Sequence, residues 1–146
     1  MTKNDESYRG LGRPLVKIFE LDHIGLRVKD VENSLRFYSK LLGLKTERVE
    51  EWRRGKTSFP SVRINADTLI DFFAAGSQLG STNAEINQDH FCLVIEPIDM
   101  EHLKTRLEDM GVRIHAGPGK RWGAHGDAIS LYVYDPDQNV VELRCY

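Results

Sequence analysis

The sequence predicts one α+β domain built from two βαβββ modules, at about residues 18–75 and 88–146. Short apolar segments with a period of two predict strands, and each module contains one amphipathic segment with the period of a helix. This order of elements is repeated along the chain with an offset of 67 residues. A chain of 146 residues is long enough to enclose one hydrophobic core.

The first module begins after a predicted flexible arm. Residues 1–17 are polar, contain glycine and lack steady periodicity, which is typical of such an arm. Apolar residues then alternate through segment 22–28, which predicts a half-buried strand with His23 on the side away from the main core. Asp30 can cap the helix that follows, and Gly43 supplies its left-handed stop. Three further strands are predicted at 44–52, 57–65 and 68–74.

The second module repeats this order after a loop rich in small and polar residues. The strand DHFCLVIE begins at Asp89, Asp99 can cap a second helix, and Gly111 ends that helix. Strands are then predicted near 112–115, 128–134 and 139–145. The repeat therefore aligns the first strands of the two modules with each other, and likewise their last strands.

Four polar residues interrupt apolar strands at equivalent places in the two modules. His23 aligns with His90, and Asp71 aligns with Glu142. The neighbours of each carboxylate belong on the core face, so the carboxylates point to the same side as the histidines. We expect all four to converge near a pseudo-twofold axis, where a buried carboxylate needs a positive partner. Imidazole and carboxylate together predict one divalent metal ion, of Fe, Mn, Ni, Co or Zn.

The shorter side chain of Asp71 leaves its role open. Asp71 can be a direct metal ligand, a base, a partner of metal-bound water or an outer hydrogen-bonding group. The sequence alone does not choose among these roles.

Composition limits the partners of the protein. The formal net charge is −2, with both signs scattered along the chain, which is unlike the basic surface of a nucleic-acid binder. No apolar run approaches the length that crosses a bilayer, and the N-terminus lacks the apolar segment of a secretory signal. With 2 cysteines, both in strand-like segments, we expect a cytoplasmic protein whose partner is a small molecule.

Three segments, DHIGLRVKDVENSLRFYSKLLGLKT, DHFCLVIE and YVYDPDQNVVEL, resemble the vicinal oxygen chelate superfamily, which includes glyoxalase I, fosfomycin-resistance enzymes and extradiol dioxygenases. The resemblance covers nearly everything from about residue 20 onward. It implies a cup-shaped mixed sheet around a divalent metal, with His23, His90 and Glu142 as ligands. In glyoxalase I the acid equivalent to Asp71 is a glutamate that acts as a fourth ligand and in proton transfer. Chains of this size in the superfamily usually form dimers, so we expect a homodimer.

The resemblance favours a metal-dependent lyase or isomerase of the glyoxalase-like branch. A metal with open positions can polarise two adjacent oxygens of a small substrate and stabilise the charge that develops on them. Asp71 or Glu142 can then transfer a proton. The substrate and the reaction stay open.

A second hypothesis is an extradiol dioxygenase that uses Fe(II) to cleave a catechol ring. The segment GAHGDAISLYVYDPDQNVVE resembles the signature of that group, which implies catalytic roles for His125, Tyr132 and Glu142. Gln138 departs from the signature, which has glycine or proline at that place. Ser130 lies on the same strand face as Tyr132 and is a candidate for substrate binding.

A third hypothesis is a small-molecule or antibiotic resistance protein. Bleomycin-binding relatives sequester their ligand and lack the metal-binding residues that this chain retains. A fosfomycin-resistance enzyme needs cationic side chains near the metal, and the candidates are Arg63, Lys120 and Arg121. Arg63 is the best placed, because it alternates to the side away from its apolar neighbours.

Overall fold

The computed structural model describes residues 9–75, 87–135 and 138–146. The strands within these ranges are β1 (Ile18–Val28), β2 (Lys45–Glu47), β3 (Ser61–Arg63), β4 (Leu69–Ala74), β5 (Gln88–Ile95), β6 (Ile114–Gly123), β7 (Gly126–Tyr134) and β8 (Val140–Cys145). The helices are α1 (Val31–Arg36), which continues as a π-helical turn (Phe37–Leu41), α2 (Val49–Arg53) and α3 (Met100–Asp109).

The strands form one eight-stranded mixed sheet in the order β2-β3-β4-β1-β5-β8-β7-β6. In each module the first strand pairs in parallel with the fourth. The second, third and fourth strands form an antiparallel sheet, in which the third strand lies between the other two. The two modules meet where β1 pairs antiparallel with β5. The structure thus confirms the predicted α+β fold of two modules with the same topology.

Each module packs its helix against its own half of the sheet. Asp30 and Asp99 cap α1 and α3, because their Oδ1 atoms accept hydrogen bonds from the backbone N–H groups three residues ahead. Leu35 of α1 packs with Phe72 of β4, and Leu103 of α3 packs with Leu131 of β7. Because successive side chains of a strand alternate in direction, the polar residues next to these positions face the opposite side of the sheet.

Three strand predictions are wrong in extent, and two of them are too long. Within the segment predicted as a strand at 44–52, Arg48 has a φ of 59°, which ends β2 and starts α2. An ion pair of 2.7 Å between Arg53 and Glu50 then stabilises this short helix. The strand predicted at 57–65 is likewise shorter and covers only β3.

The strand predicted at 112–115 is much longer in the structure. β6 extends to Gly123, because it pairs with β7 along its length despite two register shifts. Pairing with β7 therefore keeps this glycine- and proline-containing segment in the sheet, which the sequence pattern does not predict.

The segment before β1 contacts the second module. Leu15 and Val16 pack against the core under α3, and the backbone N–H of Lys17 donates a hydrogen bond to Glu96 Oε1 at 3.2 Å. Residues 1–8 of the predicted arm lie outside the described residues.

Helices long and apolar enough to cross a membrane are absent from the described part of the chain.

Candidate metal centre

Three buried side chains from neighbouring strands meet on the face of the sheet away from the helices. His23 lies on β1, His90 on β5 and Glu142 on β8, and each is at most 2% exposed. The Nε2 atoms of the two histidines are 2.9 Å apart, and Glu142 Oε2 lies 3.0 Å from the first and 3.2 Å from the second. We call these three residues the His-His-Glu cluster.

The sheet register explains why these residues meet. His23 is opposite Cys92, which is opposite Glu142, so these three form one cross-strand row. A second row runs through Gly25, which is opposite both His90 and Asp71. Residues that are opposite each other share a face of the sheet, so both rows project into the same space.

The residue before each histidine lies in a β-bulge. Asp22 is the extra residue where Leu21 pairs with Leu93 and His23 with Cys92, and Asp89 is the extra residue on β5. A bulge disturbs the strict alternation of side chains, which lets each aspartate reach the ring of the histidine that follows it. The repeated Asp-His pair thus becomes a repeated hydrogen bond.

Each aspartate fixes the orientation of its histidine. The Nδ1 atom of His23 is 2.6 Å from Asp22 Oδ1, and the Nδ1 atom of His90 is 2.7 Å from Asp89 Oδ1. An ionised carboxylate only accepts hydrogen bonds, so each Nδ1 carries a proton and each Nε2 is the ring nitrogen that faces the cluster. This arrangement is characteristic of histidines that bind a metal through Nε2.

The two aspartates are themselves supported. Asp22 accepts hydrogen bonds from the backbone N–H of Ala124 at 3.0 Å and from the hydroxyl of Tyr146 at 2.5 Å. Asp89 accepts a hydrogen bond of 3.0 Å from Nε of Arg27. Burial alone raises the pKa of Asp22, but the hydrogen bonds from His23, Tyr146 and Ala124 hold this pKa below its ordinary value.

The residues present fit a divalent cation. Glu142 Oε2 is buried, and the atoms that face it are the Nε2 atoms of His23 and His90, at 3.0 Å and 3.2 Å. Two ligand atoms about 2.1 Å from a metal and at right angles to each other lie about 3 Å apart, which matches the three distances in the cluster. Two imidazoles and one carboxylate are also a donor set that binds divalent transition metals.

The charges of the cluster are strongly coupled. Burial lowers the pKa of His23, but Asp71, Asp22 and Glu142 outweigh burial and raise it well above its ordinary value. Burial also lowers the pKa of His90, but Asp89 and Glu142 outweigh burial and raise it above its ordinary value. Burial raises the pKa of Glu142, yet the two histidines hold it well below its ordinary value.

Asp71 lies beside the cluster, and its carboxylate is further from His23 Nε2 than that of Glu142 is. Its Oδ2 atom is 3.6 Å from His23 Nε2, and its Oδ1 atom accepts a hydrogen bond from the hydroxyl of Ser61. Burial raises the pKa of Asp71 in spite of the neighbouring His23. Its carboxyl group therefore holds a proton at higher pH than an ordinary aspartate does.

A cavity of about 130 Å³ opens next to the cluster. Aromatic rings form most of its wall, with Asp71 and both histidines at one end, and the wall residues are Ser58, Phe59, Phe73, Arg121, Trp122 and Tyr132. The guanidinium of Arg48 stacks on Trp122 at 4.0 Å and on Phe59 at 4.7 Å, and its Nη2 donates to the carbonyl of Phe59 at 3.1 Å. These contacts hold the two rings in place.

Two more of the predicted site residues lie near the cluster. The buried ring of Tyr132 packs edge-on to His90, with 5.6 Å between centroids. Burial and the nearby Glu142 raise the pKa of Tyr132, so its hydroxyl stays protonated. Arg121 lines the cavity and donates to the carbonyl of Lys120 at 2.7 Å.

Four other predicted residues lie outside the cavity wall. The hydroxyl of Ser130 is buried and has no hydrogen-bond partner among the described residues. Arg63 pairs with Glu47 at 2.8 Å and donates to three backbone carbonyls. Lys120 lies 3.2 Å from Asp127. His125 is exposed, with Nε2 3.3 Å from Asp67 Oδ1.

Sequence reasoning missed several residues that surround the cluster. The sequence pattern predicts no role for five of them, Asp22, Asp89, Tyr146, Arg144 and Arg48. The repeated Asp-His pair was the available signal for the two aspartates. The other three depend on contacts between distant segments, which periodicity does not reveal.

Comparisons with known proteins agree with the fold. The family model for the Glyoxalase/Bleomycin resistance protein/Dioxygenase superfamily matches residues 20–143. Virulence protein STM3117 of Salmonella typhimurium is 28% identical over 88% of this chain and 85% of its own. The lactoylglutathione lyase of Escherichia coli O157:H7 is 29% identical over 83% of this chain and 88% of its own.

A solved structure with the same fold is the Mn(II)-bound glyoxalase from Novosphingobium aromaticivorans. It superposes with a TM-score of 0.66 at 16% identity, over 90% of this chain and 40% of that one. At this identity the likeness concerns the fold alone.

Proposed function

The chain belongs to the Glyoxalase/Bleomycin resistance protein/Dioxygenase superfamily, and from that premise we propose that it is a metal-dependent enzyme of the lyase or isomerase type. Its substrate is a small molecule that binds the metal through two adjacent oxygens. The metal is a single divalent ion held by His23, His90 and Glu142.

One observation carries this proposal. Three buried ligand atoms, the two Nε2 atoms and Glu142 Oε2, converge within 2.9–3.2 Å of one another. A buried carboxylate is costly unless positive charge lies next to it. A cation bound to all three atoms removes that cost.

The bound metal would act as a Lewis acid that polarises the substrate oxygens. Asp71 Oδ2 faces the same space, and its raised pKa suits it to accept a proton from substrate carbon and return it to the neighbouring carbon. Ser61, which donates to Oδ1, orients the carboxyl group so that Oδ2 stays available.

The cavity supports a small substrate. Its volume of about 130 Å³ is below the usual range for drug-sized ligands. The rings of Phe59, Phe73 and Trp122 keep water away from the reacting oxygens, which strengthens the electrostatic interactions there. Arg121 at the wall can pair with a negatively charged group of the substrate.

Ring cleavage by Fe(II) is the second candidate. Two histidines and one carboxylate form the ligand set of many Fe(II) oxygenases, and Tyr132 lies at the cavity wall. The proposed role of His125 in this reaction lacks support, because its ring pairs with Asp67 and Glu20 away from the cavity. We therefore rank the lyase or isomerase reaction first.

A homodimer is part of the proposal. Ile18 and Phe19 of β1 are 46% and 52% exposed and offer apolar surface that a second copy of the chain would cover. Light scattering coupled to size-exclusion chromatography should give twice the mass of the chain.

Metal content tests the proposal directly. We expect about one divalent metal per chain in elemental mass spectrometry of protein purified without chelator or affinity tag, or after loading with Fe(II), Mn, Ni, Co or Zn. His23→Ala should lose the metal, whereas His102→Ala, which removes an exposed histidine of α3, should keep it. Failure to bind metal under every loading condition would overturn the proposal.

Activity assays of the loaded protein then separate the two reactions. Conversion of the hemithioacetal of methylglyoxal and glutathione would support a lactoylglutathione lyase reaction. Uptake of O₂ with a simple catechol, measured with an oxygen electrode after anaerobic Fe(II) loading, favours the dioxygenase instead.

A further inference from the structure

Arg144 is a buried cation next to the His-His-Glu cluster. It lies on β8 two residues after Glu142, so both side chains are on the same face of the sheet, and both are fully buried. A buried guanidinium is costly unless several acceptors surround it. The acceptors that this structure supplies come from two places, the cluster and a hairpin.

On the cluster side, Arg144 engages one oxygen of Glu142. Its Nη1 donates to Oε1 at 3.2 Å, while Oε2 faces the two histidine Nε2 atoms. The two oxygens of Glu142 therefore have different partners. Nε of Arg144 also lies 3.8 Å from Oδ2 of Asp22, the residue that orients His23.

On the other side, Arg144 binds the β6–β7 hairpin, formed by β6, β7 and the turn at residues 124–125. Its Nη2 donates to the carbonyls of Arg121 at 2.9 Å and Gly126 at 3.2 Å, and its Nη1 donates to that of Trp122 at 3.3 Å. These carbonyls flank the turn on both strands, so one guanidinium joins both sides of the hairpin.

Gly123 allows this close approach. A Cβ atom at position 123 would lie 2.5 Å from Cζ of Arg144, so the guanidinium would have to move. The φ angle of Gly123 is not in the left-handed region, so the nearby guanidinium, rather than the backbone conformation, favours glycine here.

From these contacts we infer that Arg144 is a positioning residue with two effects, an inference that rests on the proposed metal site. It holds Glu142 Oε1 and so leaves Oε2 as the oxygen that would bind the metal. It also joins the metal centre to the β6–β7 hairpin, which carries Arg121 and Trp122 into the cavity wall. A metal that fixes Glu142 would then also restrain Arg144 and, through its hydrogen bonds, the hairpin, and by thermodynamic linkage a restrained hairpin tightens metal binding.

The first test is the coordination of Co(II). Arg144→Lys keeps the positive charge but loses the planar fork that holds Oε1 and the carbonyls together. With Oε1 released, Glu142 can bind through both oxygens, so the visible absorption of bound Co(II) should weaken as the coordination number rises. The Kd for Co(II) should increase about tenfold. A purely structural role for Arg144 would leave the absorption spectrum unchanged.

The second test is hydrogen exchange of the hairpin amides, at residues 119–126. In the unaltered protein, saturating Zn(II) should slow their exchange. In Arg144→Lys, saturating Zn(II) should leave their exchange unchanged. Gly123→Ala, which displaces the guanidinium without removing its charge, should behave like Arg144→Lys. Gly12→Ala, at a site with nothing within 4 Å of the added Cβ, should behave like the unaltered protein.

The outcomes separate the two proposals. If the unaltered protein binds no metal, the proposed function fails. If it binds metal, but Arg144→Lys and Gly123→Ala keep both its Co(II) spectrum and its metal-dependent hairpin protection, the inference about Arg144 fails. If Arg144→Lys does not fold, as judged by circular dichroism, Gly123→Ala decides alone.

Discussion

The Nδ1 atom of His23 lies 2.6 Å from Oδ1 of Asp22, the residue directly before it in β1. The same relationship recurs at 2.7 Å between His90 and Asp89 in β5. Neighbours in a regular strand point to opposite faces, and a β-bulge at each aspartate makes the contact possible. In both modules the hydrogen bond leaves Nε2 directed at the His-His-Glu cluster.

Replacing either aspartate by asparagine should weaken metal binding. Asparagine keeps the size of the side chain but no longer offers an anionic acceptor for Nδ1–H, so the imidazole becomes less basic and less well oriented. We expect the Kd for Zn(II) to rise between about 10-fold and 100-fold for Asp22→Asn and for Asp89→Asn. Competition against a fluorescent chelator measures this change. Asp109→Asn, at the exposed end of α3, should have no effect, and equal Kd values for all three variants would contradict the prediction.

Asp71→Asn should separate metal binding from turnover. Asp71 Oδ2 is further from His23 Nε2 than Glu142 Oε2 is, at 3.6 Å against 3.0 Å. The variant should therefore keep about one metal per chain. If Asp71 transfers the proton, kcat should fall by about 10²-fold to 10⁴-fold.

Elemental analysis and steady-state kinetics on the same preparation test both parts of this prediction. Asp109→Asn again serves as the exposed control. Loss of the metal in Asp71→Asn would make Asp71 a ligand, and an unchanged kcat would remove it from proton transfer.

The stability of the metal-free protein should depend on pH in a defined direction. Burial lowers the pKa of His23 and His90, but the surrounding carboxylates raise both above the ordinary value of 6.5. A histidine with a raised folded-state pKa stabilises the fold below its unfolded pKa, and that contribution is lost as the pH rises through the folded pKa. Glu142 acts in the opposite direction: its lowered pKa stabilises the fold above 4.5, and acidification removes this contribution. The Tm of metal-free protein should thus be highest between about pH 4.5 and 6.5.

Adding metal should change this profile, because a metal binds only unprotonated Nε2. The increase in Tm caused by Zn(II) should grow as the pH rises from about 6 to about 8. Differential scanning fluorimetry with and without Zn(II) measures both curves. A Tm of metal-free protein that climbs steadily over this range, or a Zn(II) effect that shrinks, would contradict the assignment of charges.

The sequence predicted the fold well because the fold is a duplication. Strand periodicity and two capped helices specify each module, and the repeat adds the correspondence between them. The same correspondence predicted that His23, His90, Glu142 and Asp71 would lie close together. In the structure, His90 Nε2, Glu142 Oε2 and Asp71 Oδ2 all lie within 3.6 Å of His23 Nε2. Their roles as ligands stay predictions.

The missed features depend on local backbone geometry or on distant contacts. The bulges at Asp22 and Asp89 arise from the mutual register of β1 and β5, and each strand read alone alternates normally. Arg48 adopts a left-handed φ that its residue type does not favour. The sequence pattern VVELRC predicts no role for Arg144, since only the packed hairpin supplies the carbonyls that allow its burial.

Gly25→Ala should weaken metal binding without touching a ligand. Gly25 lies between Asp71 and His90 in a cross-strand row, and the ring of His90 occupies the space above it. A Cβ atom there would lie 2.9 Å from Cε1 and Nδ1 of His90 and from the ring of Phe73. The imidazole must therefore shift, which moves Nε2 away from the other two ligand atoms. Because metal sites tolerate only small displacements, we expect the Kd for Zn(II) to rise by at least about 10-fold.

The matched control for this variant is Gly12→Ala, where an added Cβ has nothing within 4 Å. Competition titration measures the Kd of both variants, and the ring proton signals of His90 in NMR spectra report whether the imidazole has moved. A shifted His90 signal with an unchanged Kd would mean that His90 contributes little to the metal site, whereas an unchanged signal with a weaker Kd would place the effect elsewhere in the sheet. Only the two changes together agree with a site in which the missing side chain of Gly25 makes room for a ligand.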